Sequence, residues 1–366
     1  MRIGIDARMY GKIARGIGRY IEEMIKNLEK VDQENDYFIF LGLENIDDYR
    51  PANPRFTKVL APWHWYGLKE QIFFPRLLNS YKLDLVHFPH FNVPYFYHRP
   101  YVVTIHDLIL WFDTQKRATT LGPLKYALKK FSYKVILKNA VKRAKNIIVP
   151  SNYTKQDLVK IFPWSENKIT TVYEGLGVPT PACVTDDKEM KIRYNITKPY
   201  LMYVGSAYPH KNLEFLIKNW KKVVEKYDYQ LLLAVEKDFF REQLEKMVSD
   251  LGLSEQVIFT GFMLPDELAC LYHYAEAFIF PSRYEGFGLP PLEALKQHCP
   301  VLALNRTCVP EVLQDKAVYF EENFESLLAA LDKLPEARAK LENIDEWLAR
   351  YSWTKMAEDI LKIYQK

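Results

Sequence analysis

The 366 residues, 43.2 kDa, exceed what one hydrophobic core normally organises, so a single small domain is excluded and two are expected. With 48% hydrophobic and 26% charged residues but only 14 Gly and 21 Pro, the composition excludes a disordered, collagen-like or linker-rich chain. The net charge of +4 hides a division: residues 1–180 carry 27 Lys+Arg against 17 Asp+Glu and the remainder 23 against 29, which points the first half toward something anionic.

In chain order, apolar runs alternate with longer amphipathic stretches. Strands are expected at Ile3–Asp6, Tyr37–Leu41, Asp84–Phe88, Tyr101–Ile105, Asn146–Pro150 and Lys168–Tyr173. Helices are expected at Ile17–Leu28, Leu68–Leu78, Leu124–Ala144 and Ser151–Ile161. Strands apolar throughout and separated by helices mean a parallel sheet covered on both faces. A polar stretch from Val178 to Lys198 interrupts the pattern and reads as a linker, 181–198. The alternation restarts with strands Pro199–Val204, Gln230–Val235, Gln256–Phe259, Ala277–Phe280 and Val301–Leu304. Helices follow near 213–224, 266–274 and 290–297. The reading is α/β: a Rossmann-like domain over 1–180, a second over 199–351, and a last helical region, about 352–366, returning to the first. Ligands of such sheets bind at the carboxyl ends of the strands, so the site is expected between the two domains.

No apolar run reaches the ~18 residues of a membrane span, and Met1–Asp6 meets an acid too early for a signal peptide; a cytoplasmic location is expected. Cys183, Cys270, Cys299 and Cys308 show no metal-ligand spacing and read as reduced thiols packing like small hydrophobes. The segment 124–146 carries Lys125, Lys129, Lys130, Lys134, Lys138, Lys142, Arg143 and Lys145 with no acid. It reads either as a basic amphipathic helix for an anionic membrane surface or as a solvated face covering the sheet.

The most specific segment runs from Phe280 to Ala294. An apolar strand ends at Pro281, a loop with Gly286 and Gly288 follows, and Pro290 and Pro291 stand where a helix begins. Backbone N–H groups of Gly286, Phe287, Gly288 and Leu289 form an anion cradle in outline, suited to a diphosphate. Glu285 before the turn and Glu293 inside the helix bring two carboxylates to one ligand; a carboxylate accepts hydroxyls, so a sugar or ribose fits.

This segment resembles the Glu-x7-Glu signature of retaining glycosyltransferases of the GT4 type, which have two Rossmann-like domains in the GT-B arrangement. The resemblance covers nearly the whole chain. It is carried by Gly4–Arg8, Arg15-Gly16-Ile17-Gly18-Arg19-Tyr20, Thr104–Leu108, Tyr203-Val204-Gly205 with Pro209-His210-Lys211-Asn212, Phe259–Phe262 and the Glu285 segment, in family order. It implies that Glu293 binds the donor ribose, that Glu285 approaches the donor sugar, and that Lys211 holds the phosphates, where bond cleavage leaves negative charge. It further implies that Gly16 and Gly18 approach diphosphate and acceptor, that His106 contacts the transferred sugar, and that Gly261 and Phe262 hold the base by their backbone. Gly205 and Ser206 line the phosphate side. Ser206 stands where many relatives have arginine, which leaves Ser206 or His210 to compensate. Acceptor-side candidates are Arg15, His87, His90 and Asp107; Asp107 either fixes the His106 tautomer or caps the following turn.

No Asp-x-Asp occurs, which fits a metal-independent enzyme, and His87 with His90 lacks a third ligand for a metal, so the two read as acceptor contacts or as plain packing. The expectation is a hexose transfer from a nucleotide-diphosphate donor, GDP-mannose ahead of UDP-sugars, with no further cofactor. The acceptor is a saccharide or lipid-linked glycan in surface glycan synthesis, with no nucleic-acid partner and with peripheral attachment at the inner membrane face. Two other readings compete, a sugar-nucleotide epimerase of the same fold and a degenerate non-catalytic binder. A nicotinamide-dependent dehydrogenase fails because Gly16-Ile17-Gly18 lacks the third glycine of its fingerprint.

Overall fold

A computed structural model describes residues 1–112, 122–176, 183, 185–261 and 263–366. The chain divides into two compact units, one of Met1–Thr114, Leu121–Gly175 and Tyr351–Lys366, the other chiefly Leu176–Arg350.

The first unit is built on seven parallel strands: β1 (Arg2–Asp6), β2 (Asp36–Leu41), β3 (Phe56–Leu60), β4 (Leu85–Phe88), β5 (Tyr101–Thr104), β6 (Asn146–Val149) and β7 (Ile169–Thr171). Their order is β3-β2-β1-β4-β5-β6-β7. Direction of progression reverses between β1 and β4, so the carboxyl ends of these two strands flank the switch point where such sheets bind ligands. β4 and β5 are buried at every position, as a strand covered on both faces must be. β3 escaped sequence reading because it is an edge strand in which Thr57, Lys58 and Leu60 face solvent, so it has no apolar run.

The last helix, Trp353–Tyr364, packs on the helix Arg15–Val31 within this unit. Gly175 is where the chain passes that helix: a Cβ there would lie 2.2 Å from the Trp353 backbone nitrogen, so only glycine fits. The Tyr364 hydroxyl reaches His87 Nδ1 at 2.6 Å, and Thr354 donates to Asn27 Oδ1 at 3.0 Å.

The second unit repeats the plan with β8 (Tyr200–Gly205), β9 (Gln230–Val235), β10 (Val257–Phe259), β11 (Ala277–Phe280), β12 (Val301–Leu304) and β13 (Val318–Phe320), in the order β10-β9-β8-β11-β12-β13. All pairings are parallel. Its switch point lies between β8 and β11. Within the stretch read as linker, Asp187–Arg193 is a helix packed on the helix Pro265–Tyr274. Pro179 and Pro181 of that stretch lie outside the described residues.

The cysteine expectation needs correction. Cys183 and Cys270 are bonded to each other across a separation of 87 residues, which no local spacing rule detects. Cys299 and Cys308 are buried free thiols. Among the described residues no helix is long and apolar enough to cross a membrane.

Candidate functional site

At the switch point of the second unit, β8 ends in Gly205 with φ 151°, where a Cβ would lie 2.6 Å from the Tyr203 hydroxyl. Ser206 follows, its carbonyl accepting from that hydroxyl at 3.1 Å. The chain then makes a single turn at Pro209–Lys211. Two contacts tie this turn to the loop after β11: the Arg283 N–H donates to the His210 carbonyl at 2.8 Å, and Lys211 Nζ donates to Glu285 Oε1 at 2.7 Å. Residues 74 apart in sequence thus form one ion pair, with side chains only 19% and 10% exposed. Both sit at carboxyl ends of adjacent strands, and the parallel register of β8 with β11 puts them there.

Beyond Glu285 the loop is held from beneath, because the Cys308 thiol donates to the Glu285 and Phe287 carbonyls at 3.3 and 3.4 Å. Gly288, with φ 90°, turns the chain into the helix Leu289–Lys296, which Pro290 and Pro291 open. Gly286 and Leu289 are half-buried, and Glu293 is half-buried within the helix. The arrangement offers the Lys211 ammonium, held by Glu285, and a helix N-terminus to an anion. Gly261, φ 80°, follows β10 beside the Arg241 guanidinium; Phe262 lies outside the described residues.

In the first unit, Gly16 and Gly18 have different reasons to be glycine. A Cβ on Gly18 would stand 1.9 Å from the Gly11 carbonyl oxygen, whereas one on Gly16 meets nothing within 4 Å. Gly18 therefore serves the close approach of loop and helix, and Gly16 leaves open space at the helix start. Arg15 opens that helix and is exposed.

His87, at the end of β4, is fully buried, with Nε2 2.8 Å from Thr104 Oγ1 and Nδ1 on Tyr364. Burial, aided by the nearby His106, pushes it down to about 3, so it stays neutral and bonds the last helix to the sheet. It is internal scaffolding, which favours packing over acceptor contact as the reading of this residue. Asp107 accepts from the Ile109 N–H at 2.9 Å and caps the short helix Ile109–Phe112.

His106, just past β5, places Nε2 2.9 Å from the Pro89 carbonyl and Nδ1 3.3 Å from Glu174 Oε1, with the Tyr20 ring edge-on at 4.6 Å. Burial alone would lower its pKa, but Glu174, the Pro89 carbonyl and Asp107 raise it above the ordinary value. Glu174 belongs to no recognisable motif and was missed in the sequence.

His90 lines a small cavity with Asp6, Arg8, Trp65 and Asn92. Beneath it Arg8, 2% exposed, donates to Asp6 at 2.7 Å and to the fully buried Glu70 at 2.6 Å, and its guanidinium lies 4.0 Å over the Phe74 ring. Glu70 also accepts from Asn92 and from the Tyr66 N–H.

Sucrose-phosphate synthase from Thermosynechococcus elongatus has this fold, with a TM-score of 0.77 at 17% identity over 100% of this chain and 98% of that one. The two Rossmann-like parallel sheets and this likeness give the chain the GT-B fold. Residues 14–177 match Glycosyltransferase Family 4 and residues 185–347 match Glycosyl transferases group 1. The chain belongs to this glycosyltransferase family. It is similar to the O-antigen chain mannosyltransferase RfbU of Salmonella typhimurium, 27% identical over 97% of each chain. It is also similar to O-antigen chain mannosyltransferase B of Escherichia coli, 25% identical over 84% of this chain and 83% of that one.

Proposed function

We propose that the chain is a retaining, metal-independent mannosyltransferase that takes mannose from GDP-mannose, UDP-sugars being the next candidates, and passes it to a hydroxyl of a saccharide or lipid-linked glycan in surface glycan synthesis. The Lys211–Glu285 pair carries the reading. Breaking a sugar–phosphate bond leaves charge on the diphosphate; Lys211 neutralises it, and the N-terminus of Leu289–Lys296 adds its dipole. Before the donor arrives, Glu285 keeps the ammonium in place. When phosphate competes for Lys211, the Glu285 carboxylate is left to the sugar. Glu293 binds the ribose, Gly205 and Ser206 border the phosphates, and Gly261 with Phe262 holds the base. Gly16 gives the diphosphate room, and His106 faces the transferred sugar. Mannose is favoured by the names of the relatives, and the missing Asp-x-Asp supports a site that relies on Lys211 in place of a metal.

Incubation with a panel of GDP- and UDP-sugars plus chelator, followed by mass spectrometry, should show GDP release and hexose transfer, with the product anomer matching the donor by NMR. Absence of binding and of hydrolysis for every donor would overturn the reading.

The helix Pro123–Arg143 supports a membrane partner on the inner face of the cytoplasmic membrane. Tyr133, Leu137, Ala140 and Val141 are buried on one side, while Leu128, Phe131 and Val135, spaced three and four apart, are 65%, 67% and 39% exposed. Lys125, Lys129, Lys134, Lys138 and Lys142 are exposed around them. An outward apolar stripe among lysines fits an anionic bilayer surface better than a purely solvated face. Pelleting with phosphatidylglycerol vesicles should exceed that with phosphatidylcholine and fall as salt rises from 0.05 to about 0.5 M. Pelleting indifferent to both salt and anionic lipid would remove this partner.

A further inference from the structure

We propose that Glu174 is a positioning residue that holds the His106 ring as a doubly donating imidazolium during sugar transfer; the catalytic part of this rests on the function proposed above. The geometry leaves little choice. The Pro89 carbonyl can only accept, so His106 Nε2 carries a hydrogen. Paired with the Glu174 carboxylate at 3.3 Å, which accepts in the same way, Nδ1 carries one too. A neutral imidazole has one N–H and cannot serve both partners.

The surroundings agree. Two carboxylates act on the ring, Glu174 after β7 and Asp107 on its own loop. The other imidazoles nearby, His87 and His90, are both pushed down by burial and by His106 itself, so neither competes for the proton. Tyr20, whose ring edge meets His106, keeps its hydroxyl protonated, since burial raises it, and bonds Thr104 at 3.3 Å.

Glu174 is itself fixed. Its neighbour Gly175 is pressed against the Trp353 backbone, so the last helix of the chain sets where the carboxylate stands. Anchored at three strand ends, by Pro89 after β4, by β5 and by Glu174 after β7, the ring is unable to turn and accept a proton from a hydroxyl. It offers a fixed positive charge and a polarised C–H edge, which suits a step in which negative charge develops on a departing diphosphate.

The test uses the full-length protein with isotope-labelled histidine, the His106 signals assigned by their loss in His106→Gln. Near neutral pH both ring nitrogens should report N–H, with a midpoint above the ordinary 6.5. Glu174→Gln preserves shape but removes the charge, so burial should bring the midpoint below 6.5, and Glu174→Asp should restore part of the difference. In transfer assays Glu174→Gln should move the alkaline limb of kcat to lower pH and cut turnover at pH 8 by about tenfold, with the donor KM unchanged. A neutral His106 ring at pH 7 in the unmodified protein, or an unchanged midpoint in Glu174→Gln, would overturn the proposal. The ring titration needs no turnover, so it decides this point even if no donor in the panel reacts.

Discussion

Lys211→Ala is expected to lower kcat by about 10²–10³-fold, the loss seen when one preorganised donor to a developing anion is removed. Donor affinity should fall as well, because the substitution does more than delete a contact. The Glu285 side chain, 10% exposed, loses the ammonium at 2.7 Å and confronts the incoming diphosphate as an uncompensated carboxylate. Glu285→Gln in the same background should therefore recover part of the donor affinity while leaving turnover low. The two effects are not additive, since the residues share one ion pair. Isothermal titration with GDP for each variant, alongside single-turnover transfer, separates binding from chemistry. Unchanged kinetics for Lys211→Ala would remove it from the site.

A second large effect is expected on stability. Arg8→Leu should destabilise the first unit by about 3–5 kcal/mol, measured by urea unfolding at pH 7. Arg8 is the shared counter-charge of Asp6 and Glu70, and Glu70 has no exposed surface. Burial would lower the Arg8 pKa, but the two carboxylates keep it above its ordinary value and charged; burial raises Glu70 even with Arg8 beside it. The sign follows: an acid whose folded pKa is raised loses stabilisation as pH rises through that value. Without Arg8 the rise is larger, so the deficit should shrink as pH falls from 7 toward 5. A deficit independent of pH would mean that lost packing on Phe74, 4.0 Å away, dominates.

Sheet architecture was legible because buried parallel strands are written as continuous apolar runs: Ala277–Phe280, Val301–Leu304 and Gln230–Val235 appear in the fold with the expected bounds. Edge strands lack that signature. β3 alternates poorly, and β13 is three residues long with Tyr319 half exposed. At the site, Lys211 and Glu285 were legible as members of two motifs, but their direct pairing depends on a turn and a loop meeting at 2.7 Å, which is tertiary information. His87 shows the opposite case. Its position at a strand end left acceptor contact and packing both open, and only the return of Tyr364 across 277 residues reveals a structural bond. Glu174 and the Cys183–Cys270 bond are lone residues to the sequence, and their partners exist only once the chain is folded.

The contribution of Tyr351–Lys366 to the first unit has a consequence for synthesis. On the ribosome, residues 176–350 must be made after Gly175 before Trp353 can be added, and at about 5–20 residues per second that takes roughly 10–35 s. Throughout this interval the nascent amino-terminal sheet lacks Ile360, Ile363 and Tyr364, which are buried in the finished protein, and His87 lacks its hydroxyl partner. The second unit, whose sheet is contained within 200–320, has all its strands made before the helix that completes the first. Vectorial synthesis is thereby inverted: the unit that starts to emerge earlier is completed later, and its apolar seam stays uncovered until Trp353–Tyr364 is made.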